Sequence, residues 1–98
     1  MNIAELEKNA ERASELLGAM ANPRRLMVLC KLLEGEKSVT ALAEAVGLSQ
    51  SALSQHLAKL RERNLVKTRR DAQTIYYSVG SEEVRGIIST LYGFYCAS

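Results

Sequence analysis

Residues 38–66 read SVTALAEAVGLSQSALSQHLAKLRERNLV, and the spacing within this stretch decides the fold. Ser38 can cap a short helix whose Val39, Leu42, Ala43 and Val46 share one face, Gly47 can end it, and Ser49 can cap the next. Two helices joined by so short a glycine-containing turn make a helix-turn-helix, here spanning about 38–63. In the second helix Leu53, Leu57 and Leu60 recur at i, i+4 and i+7 and must face inward. At ~100° per residue, Ser51, Ser54, Gln55 and Ala58 then turn outward. That outward face is polar and uncharged at its start and basic further on, with Lys59 and Arg61 or Arg63. It suits a helix whose first turns enter the major groove while the cations reach phosphates. An ordinary amphipathic helix would present a similar polar face, so the motif alone leaves both readings open. His56 lies roughly 60° from the inward stripe and reads as a packing residue rather than a catalytic one.

Downstream, LVKTRRDAQTIYYSV changes period from helix to strand. Val66 and Thr68 alternate with Lys67 and Arg69, and Ile75, Tyr77 and Val79 alternate with Tyr76 and Ser78. Asp71-Ala72-Gln73 serves as the turn of a β-hairpin, a wing over about 66–79. Arg69 and Arg70, with Gln73, are placed to touch the DNA backbone or the minor groove beside the main contact. Ser81 with Glu82 and Glu83 opens a last helix, about 82–96, whose apolar stripe is Val84, Ile88, Leu91 and Tyr95.

Upstream, a helix over about 2–20 is capped by Asn2 and carries Ile3, Leu6, Ala10, Ala13, Leu17 and Met20 at alternating spacings of three and four. This seam is too short and too rich in alanine for a free coiled coil, and suits one wall of a dimer or packing on its own domain. Asn22-Pro23 starts a second helix that runs to about Glu34, before Gly35. Within it the segment RLMVLCKLL is apolar nearly all round, so the helix, Cys30 included, is expected to be buried.

The 98-residue chain is read as a single domain, residues 1–98, small enough that a partner subunit is expected to complete its core. No apolar run approaches the ~20 residues of a membrane span, and the first residues are not a secretory signal, so the expected location is cytoplasmic with no membrane partner. Between Ser49 and Val79 six basic residues stand against Glu62 and Asp71, whereas the rest of the chain carries a net charge of −2. That basic half is either a footprint for nucleic acid or a solvated charged surface. No His and carboxylate arrangement and no phosphate-cradling glycine loop supports an enzyme. A winged helix can also serve only as a protein-interaction module, from which steep salt dependence of duplex binding would separate it.

The order of helices, wing and final helix, with ANPRRLMVL, LSQSALSQHLAKLRERNLV and YYSV, resembles the ArsR family of bacterial transcription regulators over nearly the whole chain. The fold so implied is mainly α with a small β-hairpin, an α+β winged helix-turn-helix in the order α-α-α-α-β-β-α. The resemblance implies a homodimer held by its first and last helices, bound to double-stranded DNA at an imperfect inverted repeat. It places Gln50, Ser51, Ser54 and Gln55 at the base-reading positions. Thr40, Lys59, Arg69, Arg70 and Gln73 fall at the backbone and wing positions.

Many members of that family sense metals through a Glu-Leu-Cys-Val-Cys-Asp-Leu box, which here reads Glu36-Lys37-Ser38-Val39-Thr40-Ala41-Leu42 without either thiol. His56 is the only histidine, so the ligand set of the zinc-responsive members is missing as well; neither metal nor cofactor is expected, and a metal-responsive or input-independent repressor with structural thiols is the alternative within the family. The two cysteines, Cys30 in the second helix and Cys96 at the end of the last, resemble instead a dithiol branch of the family. There the pair answers reactive sulfur species or oxidants by forming a disulfide or polysulfide bridge that weakens DNA binding. Read without that resemblance, a cysteine on an apolar face packs as a small hydrophobe. Cys96, at the edge of its helix's stripe beside Arg85, Ser89 and Tyr92, fits that description less well and is expected to react before Cys30.

Overall fold

The computed structural model describes residues 1–96, which form five helices and a three-stranded antiparallel sheet. The elements are α1 (Ile3–Met20), α2 (Pro23–Leu32), β1 (Lys37–Ser38), α3 (Val39–Val46), α4 (Gln50–Glu62), β2 (Val66–Asp71), β3 (Thr74–Val79) and α5 (Glu82–Tyr95). Every helix starts where a short polar side chain can accept from its orphan N–H groups. Asn2 accepts from Glu5, Asn22 from Arg24 and Arg25 with Pro23 at the first turn, Ser38 from Ala41, Ser49 from Ala52 and Ser81 from Val84. The α3–α4 turn rests on Gly47, whose φ of 69° places it in the left-handed region that a side chain disfavours. Its N–H and that of Leu48 return to Ala43 and Glu44, closing α3 so that α4 can start at Ser49.

The core is one aliphatic cluster. Val28, Leu29 and Leu32 of α2 meet Leu42 and Val46 of α3, Leu53, Leu57 and Leu60 of α4, Leu65 and Val79 at the base of the hairpin, and Val84 and Ile88 of α5. α2 packs against α3, α4, α5 and β3 and is the hub of the domain. It ends at Leu32, two residues earlier than its apolar pattern suggests, because Leu33 and Glu34 turn off toward Gly35. The expectation of a wholly buried α2 also needs correction: Met27 is 40% exposed and Cys30 only half-buried. One side of this helix therefore faces an opening rather than the core.

The hairpin pairs Val66 with Val79 through to Asp71 with Thr74, leaving Ala72-Gln73 as the turn, one residue tighter than the sequence suggests. Sequence periodicity did not give β1. Its two residues pair with Tyr77 and Tyr76 of β3, so the sheet order is β1-β3-β2 and the chain entering α3 is stitched to the wing.

α1 is the least buried element, with only Met20 in the core. Ile3 at 83% exposure lies on the seam with Leu6 and Leu17, which are also exposed. On α5, Tyr92, Phe94 and Tyr95 are exposed as well, so large apolar side chains left outside concentrate on the first and last helices.

Gly80 joins β3 to α5 where a Cβ would stand 2.3 Å from the Asn64 carbonyl oxygen and 2.8 Å from the Leu65 carbonyl carbon, both backbone. Gly80→Ala must therefore push apart the base of the hairpin and the end of α4. A loss of about 1–3 kcal/mol in folding stability is expected, read as a lower denaturant midpoint at unchanged m-value.

Candidate nucleic-acid interface and dithiol cavity

Burial of Leu53, Leu57 and Leu60 fixes the rotation of α4, and Gln50, Ser51, Ser54, Gln55, Ala58 and Lys59 all stand exposed around the opposite side. The first two turns of that face carry neutral hydrogen-bonding groups and the last turn carries Lys59 and Arg61. Thr40, exposed in the first turn of α3, is brought beside the start of α4, where its hydroxyl accepts from Gln50 Nε2 at 3.4 Å. His56 is half-buried on the flank of α4, consistent with packing.

In the wing, Arg69, Arg70 and Gln73 are all exposed. Arg69 is also tied inward: Glu36 accepts from its Nε at 3.0 Å and its Nη2 at 2.6 Å, and its guanidinium carbon lies 4.7 Å from the centre of the Tyr76 ring. These hydrogen bonds hold the Glu36 carboxyl below its usual range and push the Arg69 guanidinium up. Arg63 is similarly engaged by Glu15 of α1 at 3.2 Å, so it braces α1 against the end of α4. Neither Glu36 nor Glu15 is signalled by the sequence, since each pair joins residues more than thirty positions apart.

The opening beside α2 is an apolar cavity of about 520 Å³ between α2 and α5. Leu26, Met27 and Leu91 form its walls, Tyr92 stands at its side, and both Cys30 and Cys96 line it. The structure thus brings together the two thiols that lie 66 positions apart in sequence, with Cys30 half-buried and Cys96 exposed. Cys96 sits with Tyr92 and Tyr95 at this cavity; Arg85 and Ser89 are not part of it. Burial pushes the Cys30 thiol up from its ordinary pKa, and the nearby Cys96 sulfur pushes it the same way. Among the described residues no group of three or more His, Cys, Asp or Glu side chains is arranged to hold a metal ion, and no helix is long and apolar enough to cross a membrane.

A helix-turn-helix with its second helix turned outward, flanked by a basic hairpin, defines the winged helix-turn-helix class of DNA-binding regulators. The chain belongs to the arsR family of bacterial regulatory proteins, whose sequence profile matches residues 22–68. It is 54% identical to the transcriptional activator HlyU of Vibrio cholerae over 96 residues, which covers 98% of this chain and 89% of that protein. It is 58% identical to the nodulation protein NolR of Rhizobium meliloti over 92 residues, covering 91% and 75%. The structure of reduced HlyU from V. cholerae superposes with a TM-score of 0.92 at 53% identity, covering 97% of this chain and all of that one. A homodimeric winged helix-turn-helix domain from Mycobacterium bovis, described as a possible ArsR-family regulator, matches with a TM-score of 0.82 at 28% identity, covering 96% and 86%. The protein is accordingly a DNA-binding transcriptional regulator of this family.

Since the thiolate is the nucleophile, a raised pKa leaves less of Cys30 reactive at neutral pH, and its alkylation should rise at higher pH than that of an unperturbed thiol. Under limiting iodoacetamide at neutral pH, peptide mapping is expected to find label on Cys96 before Cys30. The reverse order would contradict this assignment of the accessible thiol.

Proposed function

We propose that this regulator acts as a homodimer on an inverted-repeat operator, and that a bridge between Cys30 and Cys96, formed in response to reactive sulfur species or oxidants, lowers its affinity for DNA. The observation that carries the proposal is the shared cavity: two cysteines distant in sequence line one apolar opening between α2 and α5. A relative described as reduced HlyU, at 53% identity, is consistent with redox state being a variable in such proteins.

The dimer is supported by the exposed apolar side chains of α1 and α5, and by the homodimeric neighbour. In such a dimer Gln50, Ser51, Ser54 and Gln55 of each subunit read base edges, for which serine and glutamine offer both donors and acceptors. Thr40, Lys59, Arg70 and Gln73 contact the flanking backbone, and Arg69 belongs to the same wing.

The bridge needs no group beyond the two thiols and the oxidant. With a persulfide, the Cys96 thiolate takes the outer sulfur, releasing the donor as a thiol and leaving Cys96 as a persulfide. The Cys30 thiolate then attacks the Cys96 sulfur and expels hydrosulfide, so two protein thiols lose two electrons and the transferred sulfur leaves reduced. If Cys96 first gains a second sulfur, attack one atom further out expels hydrosulfide again and leaves a trisulfide. With peroxide the same two electrons end in water, through a sulfenic acid on Cys96. A direct disulfide holds its Cα atoms within about 7 Å and so fixes α5 against α2, whereas added sulfur atoms relax that limit. Because α5 also forms a dimer wall, this constraint acts on the spacing of the two α4 helices, which must match the ~34 Å repeat of the duplex.

Binding of the reduced protein to duplex DNA should weaken on exposure to a glutathione persulfide donor. Cys30→Ser/Cys96→Ser should bind as tightly as the reduced wild type and ignore the donor. A double variant that no longer binds untreated, or that still responds, would contradict the switch.

A further inference from the structure

The register of the sheet explains how one side chain comes to span it. Arg69 on β2 lies opposite Tyr76 on β3, and Tyr76 lies opposite Ser38 on β1. Glu36 stands one residue before β1. The Arg69 guanidinium therefore crosses the Tyr76 ring and closes a two-pronged contact with Glu36, a geometry that the planar fork of arginine makes and a lysine ammonium does not. Asp71 adds a longer contact at 4.0 Å on the wing side. The far end of this link matters because β1 runs without a gap into α3, and Ser38 is both its last residue and the N-cap of α3.

We propose that Arg69 is a positioning residue, which with Glu36 and Tyr76 straps the wing to the entry of the helix-turn-helix and sets the angle between hairpin and recognition helix. Phosphate contact in the wing then falls to Arg70, one residue on and therefore on the opposite face of the strand. Among the described residues no carboxylate lies within salt-bridge distance of Arg70. The strap leaves Arg69 charged but satisfied, so docking the wing on DNA costs no rearrangement of Glu36. An exposed ion pair adds little to global stability, so its effect is on geometry. The inference rests on the wing touching DNA.

The test combines two measurements on the full chain, carried as wild type, Arg69→Ala, Glu36→Gln, the double variant and Arg69→Lys. Affinity for a random-sequence duplex is followed by fluorescence anisotropy against salt concentration, and hydrogen exchange of the sheet amides is followed without DNA. A strap predicts that Arg69→Ala and Glu36→Gln each weaken binding roughly three- to tenfold, and that the double variant lies within about twofold of the weaker single one. The salt slope should stay as in the wild type, Arg69→Lys should behave like the alanine variant, and exchange at β1 and β3 should quicken in all four variants. A phosphate contact predicts the opposite: the slope drops by about 0.9 per wing in Arg69→Ala, lysine rescues, and Glu36→Gln binds as well as or better than the wild type. That outcome overturns the proposal, as does unchanged exchange at β1 in Glu36→Gln. Were the wild-type chain itself to show no salt-dependent duplex binding, the DNA contact of the wing would fail while exchange still decided the strap.

Discussion

Burial of one leucine stripe on α4 is the constraint on which the rest of the molecule depends. Leu53, Leu57 and Leu60 are all but inaccessible, held by α2, α3, α5 and the base of the hairpin. A helix anchored on three such residues has one rotation available, and that rotation turns Ser51, Ser54 and Gln55 outward. Moving the stripe by one residue would swing this face by ~100° and bury polar groups without partners. The outward surface of α4, with its neutral hydrogen-bonding groups, is thus set from the inside.

The same hub positions the thiols. α2 supplies Val28, Leu29 and Leu32 to the core and so must present the neighbouring side, with Met27 and Cys30, to α5. Between these two helices the packing is incomplete, and the cavity there is lined almost entirely by apolar side chains, with Lys31 and Glu34 among the exceptions. A half-buried thiol and an accessible one lining the same cavity would suit stepwise bridging, in which the accessible sulfur is modified first and the other resolves it. The helices on either side differ in their surroundings: α2 packs against both helices of the helix-turn-helix, and α5 carries part of the exposed apolar surface shared with α1. A bond between them would link sulfur chemistry to the geometry of the pair.

Much of this was legible in the sequence. Helix starts were readable because each depends on a local residue, Asn2, Asn22, Ser38, Ser49 or Ser81, and the outward face of α4 because leucine spacing is local as well. β1 was not legible: two residues carry no period, and Lys37-Ser38 becomes a strand only because β3 is beside it. The half-burial of Cys30 was misjudged because apolar content on all sides of a helix reports what is available for burial, not whether a neighbour fills the space. Arg69 was read as a DNA-contacting residue of the wing; its pairing with Glu36 was not legible, because the two are distant in sequence and only the hairpin register brings them together. The resemblance of the two cysteine positions to a dithiol branch pointed to a pair, while only the packing of α5 on α2 brought both thiols to one cavity.

The measurement that tests the central claim most directly is the intact mass and peptide map of the reduced protein after exposure to a glutathione persulfide donor, with peroxide in parallel. The account predicts an intramolecular product joining the Cys30 and Cys96 peptides, as a disulfide or with one or more added sulfur atoms. An unmodified mass, or scattered adducts on separate cysteines without a bridge, would contradict it and leave the two thiols as packing residues of a DNA-binding dimer.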